Sequence, residues 1–255
     1  MSACTSRNFP DVLLGALAAD ALAMPVHWYY DRMALVRDYG RVDRYLAPKS
    51  PHADSILWRS SYVPLNARGD ILREQAQYWG RRGVHYHQFL VAGENTLNFQ
   101  LAVELYRSIR AAGKYDMDAW LERYIEFMLT PGLHRDTYLE EYHRGFFTNL
   151  ARGKKPMACG VDDVHIGGLA QVPALIGALG AGHPVILEIV ETHVGLTHKN
   201  PGVIKAAGLL ASIHVAVAGG ADLRDAIPGI AGGLFPRKNS GAGRRKAMRR
   251  WSEKS

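Results

Sequence analysis

The side chains in this sequence that could do chemistry fall into a few short runs. An imidazole takes or gives a proton near neutral pH, and the chain has 11 histidines. His27, just ahead of Trp28, could act as a base or sit half-buried with its ring bonded to the backbone. His85 and His87 set two ligand-type rings two positions apart, but a structural or catalytic metal needs three or four ligands. Asp162, Asp163 and His165 could attract a cation, and a solvated acidic turn explains the same residues. Cys159 has no histidine that the sequence would pair with it. Neither Cys159 nor the His85–His87 pair is taken as a site. Glu94 and Asn95 stand just ahead of an apolar helical run, where Asn95 could cap the helix and Glu94 would favour its positive end.

The elements that must position these groups read as helices. Met117, Trp120, Leu121, Tyr124, Ile125 and Met128 recur at intervals of three and four, with Asp116 as a natural N-cap. Leu97, Leu101, Leu105 and Ile109 form a second stripe ending at Gly113, which can take the left-handed conformation that stops a helix. Tyr138, Leu139, Tyr142, Phe146 and Phe147 form a third, read as core rather than as a platform for stacking bases. Two more helices are expected to open at Pro184 and at Pro201, the latter behind Asn200. The segments near Asp11 and over residues 167–181 are dense in Gly and Ala, which predicts close backbone approach in the centre of a bundle. Residues 41–69, with Pro48, Pro51 and Pro64, read as a long surface excursion. No run alternates with period two, so the expected class is all-α.

At 255 residues, with 47% apolar and 22% charged side chains, the chain can bury one sizeable core. The net charge of +7 is confined to residues 237–255, which hold eight Lys or Arg and one Glu. The expected organisation is therefore a helical domain over residues 1–236 and a basic, disordered tail over 237–255. Only that tail argues for nucleic acid, and the rest of the chain carries no net charge that would recruit it. Two cysteines and an N-terminus without a basic and then apolar run predict a cytoplasmic protein. The weakly polar stretches at 167–182 and 201–220 contain Gln171, Lys205 and His214 and are not expected to span a membrane.

Residues 15–31 read GALAADALAMPVHWYYD. Ala19 to His27 resembles the Gly-Asp-Ala-Leu-Gly-Met-Pro-Val-Glu opening of the ADP-ribosylglycohydrolase superfamily. GENTLNFQLAVEL from Gly93, VHIGGLAQVPALIGAL from Val164 and LTHKNPGVIKAA from Leu196 fit the same family in the same order. PVHWYYD from Pro25 and HRDTYLEEYHRGFF from His134 look closer to the branch that contains J crystallins and selenoprotein J. The resemblance spans residues 11–227. It implies a compact multi-helix bundle whose members bind two magnesium ions beside a cleft for ADP-ribose.

In the family a Thr-Asp-Asp motif and a C-terminal Asp-x-Asp-Thr motif hold the ions together. The first falls on Gly93, Glu94, Asn95 and Thr96, which loses acidity, and the second has no counterpart here. Two divalent ions about 4 Å apart repel by roughly 17 kcal/mol at an effective dielectric of 20, so such a pair needs several carboxylates. The expectation is at most one Mg²⁺, held mostly by water with Glu94, Asn95 and Thr96. The family's glutamate after the first helix is His27 here, the candidate general base. The resemblance places Asp20 at the substrate side or at helix amides, Gly167 and Gly168 against phosphate and ribose, and Thr197 and His198 beside the nucleotide. Thr197 could equally cap the helix that begins near Pro201. The implied function is a Mg-dependent hydrolase cleaving a glycosidic bond of an ADP-ribose-type substrate. The alternative is a non-catalytic ADP-ribose-binding module or a crystallin-like structural protein. The missing second motif predicts an open groove, and the abrupt tail composition is what a shortened or frame-shifted chain end would give.

Overall fold

A computed structural model describes residues 10–234, and the apolar stripes coil into helices except that Tyr138 and Leu139, the first two residues of the third, precede theirs. Its helices are α1 (Asp11–Ala23), α2 (Arg32–Tyr39), α3 (Leu97–Ala112), α4 (Met117–Leu129), α5 (Glu141–Ala151), α6 (Val172–Leu179), α7 (Ile186–Thr197), α8 (Pro201–Ala218) and α9 (Leu223–Leu234). Among the described residues there is no strand, and the one isolated bridge joins Val161 to His198. The all-α class holds. The basic run at 237–255 lies outside the described residues.

α3 is the axis of the bundle. Leu97, Leu101, Leu105 and Ile109 are all buried on one face of it, and it packs on α4, on α6 and on the tight turn Gly167–Gln171 that leads into α6. Gly113 ends it at φ 72°, as its position in the stripe predicts. α4 starts where Asp116 accepts hydrogen bonds from the Asp118 and Ala119 amides, both at 3.1 Å. It buries Trp120, Leu121, Tyr124 and Met128. α1 lies on α6, and α7, α8 and α9 stack in sequence beside them. Gly177 allows the α1–α6 approach, because a Cβ there would sit 2.5 Å from Pro10 Cγ. Gly15 does not serve this purpose, having open space around its Cα.

Three expectations are corrected. Pro184 lies in a turn, and α7 begins two residues later. Asn95 does not cap α3, and its N-cap Thr96 makes no side-chain cap; carboxylates from elsewhere in the chain do that work. α8 is capped by Asn200, whose Oδ1 accepts from the Gly202 amide at 2.9 Å, so Thr197 is free of that role. Residues 41–69 are irregular as expected, but they are not only surface. His52 and Leu57 are fully buried, and Leu57 joins Val84 and Tyr86 in a satellite core roofed by Trp28, Tyr78, Trp79 and Tyr138. α8 is by length and composition apolar enough to cross a membrane; here it packs on α6, α7 and α9.

Candidate functional site

The N-terminus of α3 offers amides that the helix itself cannot satisfy, and it is there that the chain gathers its carboxylates. The Thr96 amide donates to Asp20 Oδ2 at 2.8 Å, and the Thr96 hydroxyl donates to Asp20 Oδ1 at 2.8 Å. Asn95 Nδ2 donates to the same Oδ2 at 3.0 Å and to the Leu17 carbonyl at 2.7 Å. Asp20 thus clamps α1 to α3. Burial raises its carboxyl above the usual range, against the Asn95 and Thr96 hydrogen bonds that pull it down. The next amide, Leu97 N–H, donates to Asp136 Oδ2 at 3.0 Å.

Asp136 carries the arrangement further. Its Oδ1 lies 2.6 Å from His87 Nδ1, and His87 Nε2 lies 2.9 Å from His27 Nδ1. The partners set the tautomers. An ionised Asp136 only accepts, so His87 carries its proton on Nδ1 and presents a lone pair at Nε2. His27 then donates from Nδ1, which leaves its own Nε2 as a free acceptor. His85 is not a ligand but a brace: its Nδ1 accepts the His87 amide at 3.0 Å and its Nε2 donates to the Pro25 carbonyl at 3.0 Å. Burial first, and then the neighbouring His87, push His27 down to about 4, with Asp136 opposing.

His27 opens into a cleft of about 830 Å³, a size suited to a nucleotide-like ligand. Its floor is the small-residue face of α1 (Ala16, Ala19, Ala23) with Asp20 and Thr96. Its walls are Trp28, His87, Asn98, Tyr138, Glu140, His143 and Gly167, and Leu210 and His214 of α8 close one side. Trp28 adopts φ 58°, a left-handed conformation costing on the order of 1–3 kcal/mol in a non-glycine residue. Its ring is held 4.5 Å from Tyr86 and 4.9 Å from Tyr138, centroid to centroid.

Glu140, the N-cap of α5, makes no cap hydrogen bond to that helix. Its Oε1 instead accepts from Asn98 Nδ2 at 2.7 Å. Asn98 Oδ1 accepts from Tyr142 Oη at 2.7 Å and from His143 Nε2 at 3.1 Å, and Tyr124 Oη lies 2.6 Å from His143 Nδ1. Burial raises the Glu140 carboxyl, the Asn98 bond opposes this, and Asp163 adds to the rise.

The structure therefore brings Asp20, His27, Thr96 and Gly167 to one cleft. It does not bring Glu94, which accepts the Val91 amide at 2.7 Å, pairs with Arg135 and lines a separate groove of about 560 Å³ with Asn95 and His134. Gly168 lies beneath the cleft wall, where a Cβ would come within 2.6 Å of His198 Cε1. Thr197 and His198 are buried, bonded to each other at 2.9 Å, with the His198 ring on Tyr142. They support Gly168 from behind. Gly168→Ala should then cost about 1–3 kcal/mol by overpacking, read as a lower urea midpoint; an unchanged midpoint would show that His198 can retreat freely.

The donor set does not fit the implied magnesium. Glu94 is committed to Arg135, Asn95 presents its amide nitrogen to α1, and the Thr96 hydroxyl donates to Asp20. Among the described residues no group of three or more His, Cys, Asp or Glu could hold a metal ion. The sequence reading missed His87, Asn98, Asp136 and Glu140. The His85-x-His87 pair was a signal for one of them, though not for metal.

The ADP-ribosylglycohydrolase family model matches residues 5–253. No curated protein matches the chain. With nearly the whole sequence matched, an all-helical fold, and a cleft at the start of its axial helix, the chain belongs to the ADP-ribosylglycohydrolase family.

Proposed function

We propose that this protein hydrolyses a glycosidic bond at the ribose of an ADP-ribose-type substrate bound in the α1–α3 cleft. The observation that carries the reading is His27, which lines the cleft, is backed by His87 and Asp136, and whose Nε2 makes no hydrogen bond among the described residues. A proton taken from water at His27 Nε2 would release the Nδ1 proton to His87 Nε2. The resulting imidazolium of His87 would rest against Asp136, whose other oxygen accepts the Leu97 amide at the start of α3. His87 and Asp136 are positioning residues in this scheme, and His27 is the base. No step runs through a metal ion, because the residues that would hold one are engaged elsewhere.

ADP-ribose at 100 times its Kd should stabilise the protein by about 2.7 kcal/mol, a rise in Tm of roughly 5–10 °C for a domain of this size. The shift should persist in a chelator. His27→Ala should keep most of that shift and lose about 100-fold or more in kcat. A protein that ADP-ribose does not stabilise, or a His27→Ala variant with the wild-type rate, would overturn the reading. The commitment of Glu94 favours one alternative, a module that binds ADP-ribose without cleaving it, which would show the thermal shift and no turnover.

A further inference from the structure

Two cavities meet at Glu140. One is the cleft that His27 faces; the other is a recess of about 410 Å³ whose walls include Tyr30 and Tyr86. Trp28, Tyr138, Glu140 and Gly167 line both. A bond lying across this junction would have a sugar on the His27 side and its leaving group among aromatic rings on the other.

The carboxyl at the junction is oriented by a hydrogen-bonded set that runs from α5 to α3. Tyr142 donates to Asn98 Oδ1, which also lies 3.1 Å from His143 Nε2, and Asn98 presents Nδ2 to Glu140 Oε1. A carbonyl oxygen accepts that N–H better than a hydroxyl oxygen does, so the bond favours the acid proton on the other oxygen. The proton of a neutral Glu140 therefore sits on Oε2, which makes no hydrogen bond among the described residues and lies against Gly167 at the cavity wall. A side chain at residue 167 would occupy the place of Oε2, which accounts for that glycine without a phosphate. The groups that face Glu140 are Asn98 from α3, Asp163 and His165 from the segment before α6, and His87 from the cleft wall.

From this geometry we infer that Glu140 is the proton donor to the leaving group, acting across the cleft from His27; the inference rests on the hydrolase reading above. As the bond from the ribose anomeric carbon to the leaving atom breaks, that atom keeps the electron pair and takes the Oε2 proton. Water adds to the anomeric carbon and gives its proton to His27 Nε2. The carboxylate left on Glu140 regains a proton from solvent, and the His27–His87 pair loses one to it. The net change is one water consumed and one glycosidic bond cleaved. No redox partner or further reactant enters.

The test compares wild type with Glu140→Gln on two substrates, ADP-ribose linked through oxygen to 4-nitrophenol and to an aliphatic alcohol. Glutamine keeps the acceptor for Asn98 and removes only the acid, so the variant should fold and melt as wild type does. A poor leaving group needs the proton and a nitrophenolate does not. Glu140→Gln should therefore lose about 100-fold or more on the alkyl substrate and less than about 10-fold on the nitrophenyl one. Equal losses on both, or none on either, overturn the donor. In carboxyl-labelled protein without substrate, one glutamate should titrate above the ordinary range and vanish in Glu140→Gln; absence of that resonance overturns it too. Turnover of the nitrophenyl substrate at the wild-type rate by His27→Ala would sink the base and leave the donor standing. A wild type that cleaves neither substrate would sink both.

Discussion

Urea unfolding at pH 5 should show a stability at least 5 kcal/mol below that at pH 7.5. Burial pushes His85 and His193 down to about 3 and His198 to about 4, and their rings are 0%, 4% and 0% exposed. In the unfolded chain each returns to about 6.5. The unfolded state therefore binds more protons between about pH 6.5 and 4, so stability rises with pH through that window and is lost as pH falls through it. At pH 5 each of the three contributes about 2 kcal/mol against folding, or about 6 kcal/mol together, comparable to the whole stability of an ordinary domain. His27, His52, His134 and His143 shift in the same direction, all chiefly through burial. Asp20 and Glu140, raised by burial, and His165, raised by its bond to Asp163, oppose them, but they are three groups against seven. A difference under about 1 kcal/mol between the two pH values would mean that these rings are not buried neutral.

Asp20→Ala and Glu94→Ala should separate sharply, although the sequence marks both as site residues. Removing the Asp20 carboxylate strands the Thr96 amide, the Thr96 hydroxyl and one Asn95 N–H bond in a place only 7% exposed. Unsatisfied buried donors cost about 1–3 kcal/mol each, so a loss of roughly 3–5 kcal/mol is expected, or about 6–20 °C in Tm. Glu94 is a partly exposed partner of Arg135, with side chains 34% and 52% exposed, and surface pairs contribute about 0–1 kcal/mol. Its removal should leave Tm within about 4 °C. Equal effects from the two substitutions would show that the α1–α3 clamp is not where the structure places it.

That contrast also shows what could be read from the sequence. Periodicity and caps were local signals, and they gave the class, the α3 and α4 stripes, Asp116 and Gly113 because each depends only on residues within a few turns. His27 was legible through its place in a family motif. The carboxyl that holds His87 was not, because nothing local ties position 136 to position 87; only the folded α3 terminus, with its spare amides, makes them neighbours. Glu140 was hidden for a similar reason. At the start of α5 it reads as an ordinary helix-end acid, and its Asn98 partner lies on another helix. At Gly168 the sequence signalled a close approach, and the neighbour the fold places there is His198, which no local pattern names.

The separations along the chain that defeat local reading also shape how the site comes to exist. His27 and His87 are 60 positions apart, His87 and Asp136 are 49, and Asp20 and Thr96 are 76. Each link closes a long loop, whose entropy must be lost before the contact stabilises anything, and such non-local contacts slow folding. Helices could flicker into place early from their own stripes while the His27–His87–Asp136 chain stays unmade. Competence to bind would then appear as a late, cooperative event in refolding, and no excised segment of the chain could carry it.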